Sequence, residues 1–192
     1  TSHHIGLHYL PPLLRRYSQQ FPQVELDIAF VDSEQAYAHV LAGQAELAIT
    51  TLAAHTPAPL QATRLWDDPL CFMAAPDHPL SARKRVSLAD LAAHPAVLPD
   101  AGTFTHKLIA GLFADNGLAL QVRLHTNYLE TIKMLVGVGL AWSALPASLV
   151  DDQVVALPVP GARLQRELGW VRHGGRSLPR AARAFVNLLA AG

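Results

Sequence analysis

Residues 126–146, TNYLETIKMLVGVGLAWSALP, leave this chain few folds to choose from. Leu129, Ile132, Leu135 and Val136 recur at helical spacing, which predicts a helix with one apolar face. Thr126 or Asn127 is placed to cap it, and Glu130 falls in its first turn, where a carboxylate suits the helix dipole. Gly137 and Gly139 stop the helix, and Leu140 to Leu145 is too short and too apolar for a surface element. Trp142, inside that run, is read as core. With the strand expected at Leu120–His125 before it, the stretch is a strand–helix–strand unit. Its helix start offers free main-chain N–H groups at a strand's end, which suits a small anionic ligand.

The remaining segments repeat this rhythm. Leu10, Leu13, Leu14, Tyr17 and Phe21 form one helical stripe, with Pro11 and Pro12 in the tolerant first turn and Pro22 ending it. Val24–Val31 alternates and predicts a strand with Val24, Leu26, Ile28 and Phe30 on one face. Asp32-Ser33 then opens a helix with Ala36, Tyr37, Val40 and Leu41 inward; Gly43 closes it before a short buried strand at Leu47–Thr50. Thr63–Ala75 is a long extended apolar stretch, broken in this reading by Asp67-Asp68-Pro69. Ser87 caps a short helix carrying Leu88 and Leu91, a strand follows at Ala96–Pro99, and Leu108, Ile109, Leu112 and Phe113 align on a helix from Thr105. A strand at Val154–Val159, another at Glu167–His173 and an amphipathic helix from Pro179 to Leu189 complete the α/β alternation.

Several function classes fall away. The chain has 15 Lys+Arg against 15 Asp+Glu, so it carries no global field to draw nucleic acid or an acidic membrane. Arg83-Lys84-Arg85 reads as a solvated loop, since three charges without aromatics make a poor nucleic-acid platform. No apolar run approaches the roughly 20 residues that cross a bilayer, and the opening Thr-Ser-His-His is not a secretion signal. Cys71, the single cysteine, has no partner for a disulfide and is read as a small buried hydrophobe. His4 and His8 share a helix-like spacing, but no acid or cysteine lies beside them and Pro11-Pro12 places the helix start later, so no metal site is expected. There is no Gly-x-Ser-x-Gly, Ser143 lies in a buried strand, and the aspartates at 67–68 and 151–152 read as turn and cap residues. No catalytic residue and no cofactor is expected, and the chain is not read as an enzyme.

Six ordered motifs carry a family resemblance. They are Leu10-Pro11-Pro12-Leu13-Leu14 with Phe21-Pro22-Gln23-Val24; Gly43-Gln44-Ala45-Glu46-Leu47-Ala48-Ile49; Trp66-Asp67-Asp68-Pro69-Leu70; His78-Pro79-Leu80; Leu88-Ala89-Asp90-Leu91; and Glu130 with Gly139-Leu140 and Leu145-Pro146. In this order they resemble the effector-binding domain of LysR-type transcriptional regulators, over essentially the whole chain. The family's DNA-reading helix-turn-helix domain and linker helix are not in this sequence, and most of the strand with which the family domain opens would precede Thr1.

The resemblance implies a two-lobed α/β fold like that of type II periplasmic binding proteins, with two crossover strands. Lobe I would be residues 1–69 plus 161–192 and lobe II residues 70–160, with a ligand in the cleft between them. It points to Ser2, His3, Thr50, Thr103, Thr105 and Asn127 as ligand contacts. Hydroxyls and amides at helix starts, without a buried acid, favour a carboxylate, a sulfate-like anion or an amino-acid derivative. The implied protein is a cytoplasmic regulator that forms a homodimer or homotetramer. It would reach DNA only through the N-terminal domain not included here, and it has no membrane partner. A transporter's solute-binding protein with the same fold is the alternative.

Overall fold

A computed structural model describes residues 1–190; residues 191 and 192, which the resemblance assigns to lobe I, lie outside the described residues. The chain divides into two compact units, one formed by Thr1–Asp67 with the chain from Glu167 onward, the other by Asp68–Arg166.

In unit 1, helices α1 (His3–His8) and α2 (Pro11–Gln20) follow one another directly, and α3 (Ser33–Ala42) leads into strand β1 (Leu47–Thr51). Pro11 and Pro12 occupy the first turn of α2, where their missing donors cost nothing. Gly43 takes a φ of 76° at the end of α3, the left-handed conformation that glycine adopts without strain. Strand β1 pairs antiparallel with β7 (Leu164–His173), from Leu47 opposite Arg172 to Thr51 opposite Leu168. Helix α7 (Arg180–Ala190) completes the core, where Ile5, Leu13, Tyr17, Ile49, Leu168, Phe185 and Leu189 pack together. The Tyr17 hydroxyl donates to the Ala181 carbonyl at 2.8 Å, and its ring meets Phe185 edge-on at 5.1 Å.

Two expectations in this unit fail. Val24–Val31 is not a strand, and Leu26, Ile28 and Phe30 are exposed. Its main chain is tied near the ends, by Val24 N–H to the Phe21 carbonyl and Val31 N–H to the Thr1 carbonyl, while the Thr1 main-chain nitrogen donates to the Ala29 carbonyl at 2.9 Å. Alternation gives a segment two faces, but a strand also needs a neighbour along its edge. The segment instead walls a cavity of about 470 Å³ with Leu14 and Tyr17 of α2, Leu47 of β1 and Phe185 of α7. Leu41, expected inward, is 46% exposed, because Ala36, Tyr37 and Val40 already fill the buried stripe of α3.

Unit 2 is a sheet covered on both faces. Strand β2 (Leu60–Ala74) enters from unit 1 without the break expected at Asp67-Asp68-Pro69. Its Leu70–Met73 pairs antiparallel with β5 (Ser143–Pro146), and Met73-Ala74 pairs with β6 (Val155–Ala156), shorter than the strand expected at 154–159. Strands β3 (Ala96–Leu98) and β4 (Val122–His125) are parallel, and Ala96 bridges to Trp142 in parallel on its other side. Between β4 and β5 runs α6 (Leu129–Gly137), giving the strand–helix–strand unit that the spacing at 126–146 predicts.

Alternation along these strands sorts side chains into two cores. Phe72, Ala96, Leu98 and Ala144 face Ile109 and Phe113 of α5 (Phe104–Asp115). Met73, Val97 and Leu145 face Leu129, Ile132 and Val136 of α6. Cys71 is half-buried against the second core, and burial pushes its thiol above the ordinary cysteine range. Trp142 is fully enclosed in the first core: its indole N–H donates to the Leu91 carbonyl at 2.8 Å and the His94 carbonyl at 3.0 Å, and Phe113 stacks on its ring. Those carbonyls lie at the end of α4 (Leu88–Ala92), whose start carries a reciprocal cap between Ser87 and Asp90. That cap, with Arg83 alongside, holds the Asp90 carboxyl down to about 2.

Candidate effector site

The start of α5 gathers most of the polar residues singled out in unit 2. Thr103 is the N-cap: its hydroxyl accepts from His106 N–H at 3.1 Å and gives its own proton to the Asp100 carbonyl at 2.8 Å. Asn127 does not cap α6, as the sequence predicts; Tyr128 stands at the N-cap position, and no side chain caps it. The Asn127 amide turns instead to Asp100, accepting from its N–H at 2.9 Å and donating to its carboxylate at 3.0 Å. An amide that can bond both the main chain and the carboxylate of one residue makes two bonds there, against the single bond a cap would give. Asp100 therefore joins Thr103 and Asn127 into one cluster.

The same turn is fixed from below by two histidines. Nδ1 of His106 lies 2.8 Å from the Pro99 carbonyl and Nδ1 of His125 lies 3.1 Å from it. A carbonyl only accepts, so both rings carry a proton on Nδ1.

Thr105, one residue past the first helical position, is buried and accepts from Arg166 Nη1 at 3.1 Å. Nε and Nη2 of the same guanidinium both reach the Asp68 carboxylate, Nε at 2.8 Å. The sequence reading places Asp68 in a turn. It lies instead within β2, 2% exposed, as half of a buried ion pair with Arg166 of β7. Ninety-eight residues separate the partners, and no local pattern announces a pair of that span.

In unit 1, Ser2 is the N-cap of α1 but makes no side-chain capping bond, and the His3 ring lies edge-on to Phe30 at 6.2 Å. Thr50, opposite Gly169, is fully enclosed, and its hydroxyl makes no hydrogen bond among the described residues. Such an enclosed, unsatisfied group is unusual enough to mark the position. Residues 3–8 are already helical, contrary to the later start expected from Pro11-Pro12, and the rings of His4 and His8 stand 4.6 Å apart on one face.

The first comparison with known proteins decides the family. The model of the LysR substrate binding domain matches residues 1–192. The chain belongs to that family. Among its curated relatives is the uncharacterized HTH-type transcriptional regulator YeiE of Escherichia coli K12, 29% identical over 190 residues, covering 95% of this chain and 64% of the relative. The chain thus spans less than two thirds of that relative's length. Two solved structures share its fold. The CcmR regulatory domain of Synechocystis PCC6803, in complex with 2-PG, has a TM-score of 0.84 at 22% identity and covers 96% of this chain and 90% of that one. The effector-binding domain of QuiR, in complex with shikimate, has a TM-score of 0.85 at 18% identity with the same two coverages, 96% and 90%. The two-lobed α/β fold of periplasmic-binding-protein type is therefore the fold of this chain. Units 1 and 2 are joined by two crossing strands, β2 and β7.

Proposed function

We propose that this chain is the sensing domain of a transcription regulator that reads DNA through a separate domain. It binds a small anionic metabolite, a carboxylate, a sulfate-like anion or an amino-acid derivative, and works in the cytoplasm as a homodimer or homotetramer. The chain-wide family match carries the reading. The ligands named for CcmR and QuiR support the small-molecule part of it. Lobes I and II, expected at residues 1–69 plus 161–192 and at 70–160, would each contribute contacts: Ser2, His3 and Thr50 from the first, Thr103, Thr105 and Asn127 from the second. A ligand that binds one arrangement of the lobes better than another shifts their balance by that difference in affinity alone. The shift would then be passed to the DNA-reading domain.

No described helix is long and apolar enough to cross a membrane. The family match favours the regulator over the transporter alternative.

A thermal-shift screen of small carboxylates, sulfate and amino-acid derivatives tests the proposal. A hit should raise the melting temperature of the wild-type chain and leave that of Asn127→Ala unmoved. A hit that shifts Asn127→Ala and Thr103→Ala as much as wild type removes this site. Light scattering tests the assembly, and a strictly monomeric species refutes it.

A further inference from the structure

The chain holds ten histidines, and two of them share one face of α1. His4 and His8 are four residues apart, so their side chains are neighbours along the helix surface. The helical backbone from His3 to His8 supplies the geometry that a helix beginning at Pro11-Pro12 would have denied them. Their rings stand 4.6 Å apart with planes tilted by 45°, and a ligand nitrogen of each lies within 4.8 Å of the other's. The two differ in exposure. His4 is buried, and Tyr9 meets its ring edge-on at 6.2 Å, so packing sets its position. His8 is exposed, and its ring is the one with room to turn.

We propose that His4 and His8 chelate one divalent transition-metal ion, with water completing its coordination. Imidazole nitrogens bind zinc at about 2.0–2.1 Å, which places two donors on one centre roughly 3 Å apart. The pair therefore has to close by no more than about 2 Å, a distance that a change of side-chain rotamer at His8 covers. Imidazole suits zinc, copper and nickel, and copper(II) binds the most tightly of the three; magnesium and calcium take oxygen ligands and are not served by this pair. A metal bridge across this turn ties down a six-residue helix whose N-cap, Ser2, makes no side-chain capping bond. An ion that binds the folded pair more tightly than the unfolded chain stabilises the domain by that difference. The inference uses none of the proposed effector contacts, so it stands or falls apart from the effector reading.

The test uses the untagged 192-residue chain, with nickel(II) and copper(II) chlorides as probes and magnesium chloride as control. Calorimetry should show one nickel site in wild type, and nickel but not magnesium should raise the melting temperature. His8→Gln, a substitution at an exposed position, leaves a single donor on the helix, and its nickel affinity should fall roughly a hundred-fold, the loss expected when a linked pair of donors becomes one. His55→Gln, in an exposed loop, should bind as wild type does. Electron paramagnetic resonance of the copper(II) complex should show two imidazole nitrogens in wild type and one in His8→Gln. Should His8→Gln not fold, the wild-type copper spectrum decides alone: two nitrogens support the site, and one or none overturns it. Equal nickel affinity in folded His8→Gln means that other histidines hold the ion and overturns the inference. A wild-type chain that binds nickel no better than magnesium does the same, and either result leaves the sensing function standing.

Discussion

Replacing Trp142 by Phe isolates what one side chain contributes to unit 2. The indole is fully enclosed, stacked on Phe113 at 5.6 Å and edge-on to Phe72 at 5.6 Å, and its N–H serves the carbonyls of Leu91 and His94. Phenylalanine keeps the aromatic contact and gives up two things. The Leu91 carbonyl loses one donor but keeps the His94 N–H at 3.0 Å, so the cost is that of one ordinary hydrogen bond, about 0.5–1.5 kcal/mol. The smaller ring leaves about 40 Å³ unfilled, which at roughly 24 cal/mol per Å³ adds about 1 kcal/mol. The expected loss is about 1.5–2.5 kcal/mol, a sizeable share of the 5–15 kcal/mol or so that holds a typical domain folded. Urea denaturation followed by far-ultraviolet circular dichroism measures it, with the slope compared between variants to confirm that the same surface unfolds. Hydrogen exchange supplies the location: amides of α4 and β3 should exchange faster in the variant, while those of β1 in unit 1 should not. A loss below about 1 kcal/mol, or faster exchange spread evenly over both units, refutes the account of Trp142 as the pin between α4 and the sheet.

Two further outcomes follow from groups described above. The Ser143 hydroxyl is fully enclosed on β5 with no hydrogen bond among the described residues, so Ser143→Ala should stabilise the chain by about 1 kcal/mol in the same urea assay; a destabilised variant contradicts this. Burial lowers the pKa of His78 from 6.5, with His94 nearby adding to the effect and Asp77 opposing it. The unfolded chain therefore takes up this proton first, and stability present above the ordinary histidine range is lost as the pH falls towards the folded value. Melting temperature should decline on acidification from about pH 7.5 to about pH 5, less steeply in His78→Gln, and equal slopes would rule His78 out as a source of that decline.

Local chemistry made much of unit 2 readable in advance. Ser87 followed by Asp90 announces a cap because both partners lie within one turn, and α6 shows its buried face at Leu129, Ile132 and Val136 through spacing alone. What stayed hidden depends on distant partners. Val24–Val31 has a strand's alternation, yet nothing in its residues tells whether an edge will stand beside it. Asn127 looks like a cap until Asp100 comes within reach, and Asp68 looks like a turn residue until Arg166 does. The family resemblance pointed to the α5 turn as a contact segment. The direction in which each hydroxyl donates could be read only from the folded arrangement.

The division of the chain also bears on how it is made. Unit 2 is one uninterrupted run, whereas the unit 1 core needs Tyr17 to meet Ala181 and Phe185. Domains generally fold as units, the earlier before the later, during synthesis at roughly 5–20 residues per second. Here that order is reversed. Residues 1–67 leave the ribosome before unit 2 but cannot bury Tyr17 until α7 has emerged, by which time unit 2 has all of its own chain. The nascent protein thus carries the uncovered apolar face of α2 ahead of a finished domain. In that interval a chaperone would have the most surface to hold, and a stalled or shortened chain would be most exposed to proteolysis.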